Sequence, residues 1–318
     1  MVLYVIQVVV GIGVLILGGE CLVRGSASLA KAWGLSPLVI GMTIVAGGTS
    51  APELVVSVMA AAKGNPDICA GNVIGSNIFN MLLILGTAAV ICPLQTTATF
   101  IRREVPIMIG VMLILTVLVF NGSVSKVEGA ILVAVFVIYN AYVIRAARRD
   151  AAILEPQLEA IHHAPRRRSV KLSVGITCLG LLGLGGGSEL FLRGSIAIAE
   201  HFGVSQVMIG LTLVAFGTSL PEWVTSAVAA IRKQPDICLG NIVGSNIFNA
   251  TAILGLSALV QPVPFDSSLL EMHVPVMLAS SIILWPMVAT GLALGRREGA
   301  ALLVGFTIYF GYTLRGQF

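Results

Sequence analysis

Glu53 and Glu222 stand where a carboxylate is least expected. Each closes a Gly-Thr-Ser-x-Pro-Glu hexapeptide, residues 48–53 and 217–222, deep inside an apolar run. A charged side chain at the centre of a hydrocarbon layer costs about 2.5 kcal/mol or more, and neither run offers a Lys or Arg to offset it. On a helix, Thr49 and Ser50 share the face of Glu53, as Thr218 and Ser219 share that of Glu222. Pro52 and Pro221 cannot donate to the carbonyls of Gly48 and Gly217, and a carbonyl freed in lipid needs another partner, of which a cation is one. Two Gly-Asn-x-x-Gly-Ser-Asn-Ile-Phe-Asn segments add Ser76 with Asn80 and Ser245 with Asn249, with Asn72 and Asn241 one turn earlier. Carboxylates, amides, hydroxyls and bent-helix carbonyls, with no thiolate or imidazole, suit hard cations such as Ca²⁺, Na⁺ or Mg²⁺ and not Zn²⁺ or Cu⁺. Taken singly, a Ser or Thr in an apolar helix bonds its own backbone. The two unpaired carboxylates in duplicated settings favour an ion site.

These groups must be carried by membrane helices. The 318 residues include 19 Lys plus Arg and 15 Asp plus Glu, only 11% charged, with 57% hydrophobic residues and a mean hydropathy of +0.97. A soluble domain carries about 25% charge. Composition therefore excludes a soluble enzyme, a nucleic-acid binder and a disordered chain. The five Cys form no CxxC and no Cys/His cluster, and read as small buried hydrophobes. No basic flank precedes the first apolar run, which reads as a first span rather than a signal peptide.

Ten apolar runs approach the length needed to span a bilayer. They cover approximately 2–22, 36–61, 68–92, 104–121, 126–145, 172–192, 205–230, 237–260, 272–291 and 298–315. The halves repeat at an offset of 169 residues, which carries Glu20 onto Glu189, both hexapeptides onto each other and Pro66–Asn80 onto Pro235–Asn249. Five spans per copy force the second copy to cross in the opposite sense, so the expected fold is an all-α polytopic membrane protein of ten helices in two inverted five-helix repeats. The expected division is 1–145, a basic cytoplasmic linker 146–171, and 172–318. With that linker inside, fifteen of the 19 basic residues fall in the cytoplasm and both termini lie outside, in keeping with the positive-inside rule. Nine or eleven spans would break that split.

Other polar residues read structurally. Glu20 with Arg24 and Glu189 with Arg193 form i,i+4 pairs. Glu128, Glu298, Asp67 and Asp236 sit at helix starts. Asn77 and Asn246 are expected to bond neighbouring helices rather than an ion. His201, His273, His162 and His163 have no partner motif.

The hexapeptides and the paired Asn-rich segments resemble the α-repeats of the cation/calcium exchanger superfamily, most closely the prokaryotic sodium/calcium exchangers. The resemblance covers nearly the whole chain. It implies that helices two, three, seven and eight enclose the sites, and that cytoplasmic Ca²⁺ is exchanged for external Na⁺, three for one. It places ligands at Glu53, Glu222, Thr49, Ser50, Thr218, Ser219, Ser76 and Ser245, with backbone carbonyls of Ala46 and Ala215. The first and sixth helices would slide across this core, and Gly11, Gly13, Gly175, Gly180 and Gly183 would either ease that sliding or serve packing. Some members carry Asp where this chain has Asn249. With Asn80 and Asn249 both neutral amides the site holds charge −2, which argues against potassium co-transport. Ala51, where the family usually has Leu, reads as a packing change.

The expected function is therefore a Ca²⁺/Na⁺ antiporter of the prokaryotic plasma membrane, monomeric, with no enzymatic activity, no cofactor and no nucleic-acid partner. H⁺/Ca²⁺ antiport competes, because two Glu could load two protons. An open cation channel fits the broken helices poorly, and an intramembrane hydrolase would need a nucleophile–base pair that the sequence lacks.

Overall fold

The computed structural model describes residues 1–159, 169–204 and 215–315. The first half contains α1 (Val2–Trp33), α2 (Pro37–Thr49), α3 (Ala51–Ala62), α4 (Asp67–Ile91), α5 (Val105–Val119) and α6 (Lys126–Glu159). The second contains α7 (Val170–His201), α8 (Ala215–Thr218), α9 (Leu220–Ile231), α10 (Pro235–Val260), α11 (Leu269–Ala289) and α12 (Arg296–Arg315). Six of these are long and apolar enough to cross a membrane, and the bent pair α2–α3 makes a seventh. His162, His163 and the Arg166–Arg168 run, together with the first ten residues of the expected seventh span, lie outside the described residues.

Local sequence explains the ends and breaks. Gly34 ends α1 in the left-handed conformation at φ 65°. Ser36 caps α2 with Pro37 as its first residue. α2 and α3 meet at 46°, the break falling at Ser50, two residues before Pro52. Helix α6 continues well past 145, where the span was expected to end; Ala146, Ala147, Ala151 and Ala152 are strong helix formers.

Contacts come in pairs related by the 169-residue offset. The end of α4 packs on α12, and the end of α10 on α6. Both contacts are backbone-close: a Cβ on Gly86 would lie 3.0 Å from the Gly299 carbonyl, and one on Gly255 2.9 Å from that of Gly129. Two short antiparallel ribbons tie the halves crosswise. Strand β1 (Leu94–Gln95) pairs with β4 (Ala293–Leu294), and β2 (Ser123–Val124) with β3 (Val263–Pro264).

Helices α1 and α7 form the most extensive contact, running antiparallel from Tyr4 against Gly194 to Ser28 bonded to Ser173. Their seam is a double file of glycines at seven-residue spacing: Gly11, Gly18 and Gly25 on α1, and Gly180, Gly187 and Gly194 on α7. A Cβ on Gly11 would sit 2.7 Å from the Phe191 nitrogen, and one on Gly180 2.5 Å from that of Leu22. Of the five glycines singled out from sequence, Gly11, Gly180 and Gly183 lie in this seam. Among the described residues, nothing lies within 4 Å of a Cβ added at Gly13 or Gly175.

Candidate functional site

The two breaks bring both hexapeptides to the centre of the helical core, where Glu53 and Glu222 are each 1% exposed. Spacing along one helix predicts Ser50 beside Glu53. The bend at Ser50 redirects that hydroxyl, and each half's serine crosses to the other half's carboxylate. Ser50 Oγ donates to Glu222 Oε1 at 2.7 Å, and Ser219 Oγ donates to Glu53 Oε1 at 3.1 Å. Ser245 and Ser76 join at one remove, 3.1 Å from Ser50 and 3.4 Å from Ser219.

Asn72 and Asn241 clamp the turns that carry the carboxylates. Asn72 Nδ2 donates to Ser57 Oγ at 2.9 Å and to the Glu53 carbonyl at 3.3 Å; Asn241 Nδ2 donates to Ser226 Oγ at 3.1 Å and to the Glu222 carbonyl at 3.4 Å. Thr49 Oγ1 donates to Asn241 Oδ1 at 3.1 Å and to the Ala46 carbonyl at 3.3 Å. Thr218 is buried at the matching break. Ala46 is wholly buried, and Ala215 begins α8.

Asn80 and Asn249 lie where α4 and α10 widen into π-helical turns, Phe79–Ile84 and Asn249–Ile253. Such turns frequently mark functional sites. Asn80 Nδ2 donates to Asn246 Oδ1 at 3.3 Å, and Asn249 Nδ2 to Asn77 Oδ1 at 3.1 Å, so Asn77 and Asn246 bond the neighbouring helix. Among the described residues, four oxygens of the amides and carboxylates gathered here are buried without a hydrogen-bond partner: Glu53 Oε2, Glu222 Oε2, Asn80 Oδ1 and Asn249 Oδ1. Among the described residues no Lys or Arg pairs with either glutamate. Buried acceptors left unmet are rare and costly. A desolvated hard cation is the partner this donor set fits.

Several residues escape sequence reasoning. Ser188 on α7 donates at 2.7 Å to the Gly217 carbonyl, the one Pro221 leaves unbonded, so a side chain meets this carbonyl. Leu181 and Leu192 of α7 cover the breaks, each touching the Cβ position of Gly48 or Gly217. Nothing in a lone Ser of a Gly-rich run announces such a role. Glu104 is fully buried beside Arg103, 2.6 Å away, although its position suggests a span end. His273 has a partner after all, with Nδ1 2.8 Å from the Tyr309 hydroxyl. Glu20 pairs with Arg24 as expected and also reaches Arg232, just past the end of α9, at 2.8 Å. Glu189 and Arg193 pair at 2.5 Å. Glu128 accepts from the Ser125 amide at 2.7 Å, capping α6.

Known proteins match this fold and chain. The family model described as sodium/calcium exchanger protein matches residues 3–145 and 172–315. The sodium/calcium exchanger MaX1 of Methanosarcina acetivorans is 32% identical over 332 aligned positions, covering 94% of this chain and 95% of that protein. The inner membrane protein YrbG of Escherichia coli is 35% identical over 278 residues, covering 86% and 85%. The structure of the sodium-calcium exchanger NCX_Mj soaked with 2.5 mM Na⁺ and 0.1 mM Ca²⁺ superposes with a TM-score of 0.85 at 31% identity, over 98% of both chains. With its helical membrane fold and matches across both halves, the chain belongs to the sodium/calcium exchanger family, whose members are ion transporters.

Proposed function

We propose that this protein is a secondary antiporter that exchanges Ca²⁺ for Na⁺ across a prokaryotic plasma membrane, through one central site shared by Glu53 and Glu222. The observation that carries the reading is the set of four unpartnered oxygens on Glu53, Glu222, Asn80 and Asn249, held by cross-bonds between the halves. Two carboxylates balance one Ca²⁺, whose many-oxygen shell the neutral amides help complete. The hydroxyls of Thr49, Ser50, Ser76, Thr218, Ser219 and Ser245 favour Na⁺ over H⁺ as the counter-ion. A monovalent metal ion needs such oxygens around it, whereas a proton needs only the carboxylate.

In this reading the ten spans form two inverted five-helix repeats, 1–145 and 172–318, with residues 146–171 in the cytoplasm and both termini outside. Because Ca²⁺ and Na⁺ compete for the same carboxylates, the site is loaded by one or the other, and the cycle couples their movements by alternating access. The chain acts alone, without a cofactor.

The test is Ca²⁺ flux in vesicles containing the purified protein, under imposed Na⁺, H⁺ or K⁺ gradients. An outward Na⁺ gradient is expected to drive Ca²⁺ uptake. Uptake driven by a proton gradient and indifferent to Na⁺ would replace Na⁺ by H⁺ in the cycle. No movement under any gradient would end the exchanger reading.

A further inference from the structure

Asn77 and Asn246 are wholly buried, lie off the carboxylates and belong to none of the ligand positions above. Their surroundings have a chemical polarity. Asn77 Nδ2 lies 3.7 Å from Met112 Sδ and 3.7 Å from Met277 Sδ, and Asn246 Nδ2 lies 3.8 Å from Met108 Sδ. All three methionines are fully buried. The arrangement repeats at the 169-residue offset, which carries Asn77 onto Asn246 and Met108 onto Met277.

A thioether can accept a hydrogen bond, weakly, and can never donate one. The amide atom facing it must therefore be the NH₂, and the oxygen must face the other way. Turned away from sulfur, Asn77 Oδ1 and Asn246 Oδ1 can only accept. Asn249 and Asn80, bonded to them, must offer Nδ2, which leaves their own oxygens unbonded. The reverse orientation would aim NH₂ groups at the place where a cation binds. We propose that Asn77 and Asn246 are positioning residues, which the sulfurs of Met108, Met112 and Met277 orient so that Asn249 and Asn80 present oxygen rather than nitrogen to the cation. The methionines thus set the sign of the dipole facing the cation from the far end of a two-amide relay. This deepens the functional reading and rests on it.

The experiment is equilibrium Ca²⁺ binding to the purified full-length chain in detergent, paired with Ca²⁺ transport at saturating concentration. Asn77→Leu removes the acceptor and should weaken Ca²⁺ binding on the order of tenfold, the effect of losing one oriented buried hydrogen bond, while the saturated rate changes less. Asn77→Asp, whose protonated carboxyl keeps an acceptor toward Asn249 and a donor toward sulfur, should bind Ca²⁺ like the parent. In an Asn249→Ala background Asn77→Leu should add nothing, because the effect runs through Asn249. Unchanged binding in Asn77→Leu, or an equal loss in both backgrounds, would overturn the inference. Should Asn77→Leu not fold, Met112→Leu combined with Met277→Leu makes the same test: weakened binding supports the relay and parental binding overturns it. A parent protein that binds no Ca²⁺ would overturn the functional reading and this inference together.

Discussion

Ser50 and Glu222 lie 172 residues apart in the chain and 2.7 Å apart in space, and Ser219 and Glu53 repeat the relationship at 3.1 Å. Neither half holds its own carboxylate. Each carboxylate is oriented by the break in the other half's helix, so the two breaks form one unit.

Removing either carboxylate charge should silence transport. In Glu53→Gln or Glu222→Gln the amide keeps the size of the side chain, but one of the two charges proposed to face Ca²⁺ is gone. Leaving a buried charge without its partner costs about 3–5 kcal/mol, which corresponds to a loss of roughly 100-fold or more in Ca²⁺ affinity. Ca²⁺ uptake into vesicles measures the loss, and a symmetrical elution peak shows that the protein is folded. Sustained uptake in both variants would remove the shared site.

The crossed serines separate the two cations. Ser50→Ala removes both the 2.7 Å bond to Glu222 and a hydroxyl that the Na⁺ reading requires. Hydrogen bonds to charged groups are worth about 1.5–3 kcal/mol, so half-maximal Na⁺ should rise roughly tenfold or more. Ser219→Ala should act in the same direction. The Na⁺ dependence of Ca²⁺ efflux is the measurement; an unchanged Na⁺ curve in both variants would count against hydroxyl ligation of Na⁺.

The carbonyl left by Pro221 gives a prediction about stability. Ser188→Ala strands the buried Gly217 oxygen, and an unmet buried acceptor costs about 1–3 kcal/mol. The melting temperature of the detergent-solubilised protein should fall, with Ser188→Thr retaining part of the bond. A melting temperature equal to the parent's in Ser188→Ala would mean that the carbonyl finds another partner.

The glycine seam sorts its members. Gly18→Val would put a side chain 2.7 Å from the Leu184 backbone nitrogen, where no rotamer change can relieve it. Overpacking of this kind costs about 1–3 kcal/mol. Gly13→Ala and Gly175→Ala meet nothing within 4 Å and should leave the melting temperature near the parent's. Equal melting temperatures for all three would contradict the close approach of α1 and α7.

Much of this was legible without coordinates, because duplication marks the residues concerned. Glu53 and Glu222 stand out as charges in apolar runs, and the offset shows that each has a counterpart. Partnership was not legible. Helical spacing relates Ser50 to Glu53 within one helix, but it cannot report that the chain bends at Ser50 and faces the other half. The same holds for Asn77, whose spacing gives no hint of Met277 from a helix 200 residues away. Ser188 carries no pattern at all, since one hydroxyl in a run of glycines looks like packing. Glycine content alone pointed to Gly11, Gly13, Gly175, Gly180 and Gly183, and only the fold shows two seven-residue files facing each other, antiparallel, with Gly13 and Gly175 outside them.

That seam has a mechanical meaning. Helices held apart by interlocking side chains can adjust by rotating them, but α1 and α7 touch backbone to backbone at six glycines, and a backbone has no rotamers to spare. Adjacent glycines in each file are seven residues apart, about 10.5 Å along the axis, so sliding one helix past the other would break every contact before a new register was reached. The pair is therefore one stiff beam rather than two struts. If the exchange proposed above runs by alternating access, α1 and α7 are expected to move together against the broken helices. Leu181 and Leu192 ride on that beam directly over Gly48 and Gly217, so its travel would cover and uncover the two breaks in the same stroke.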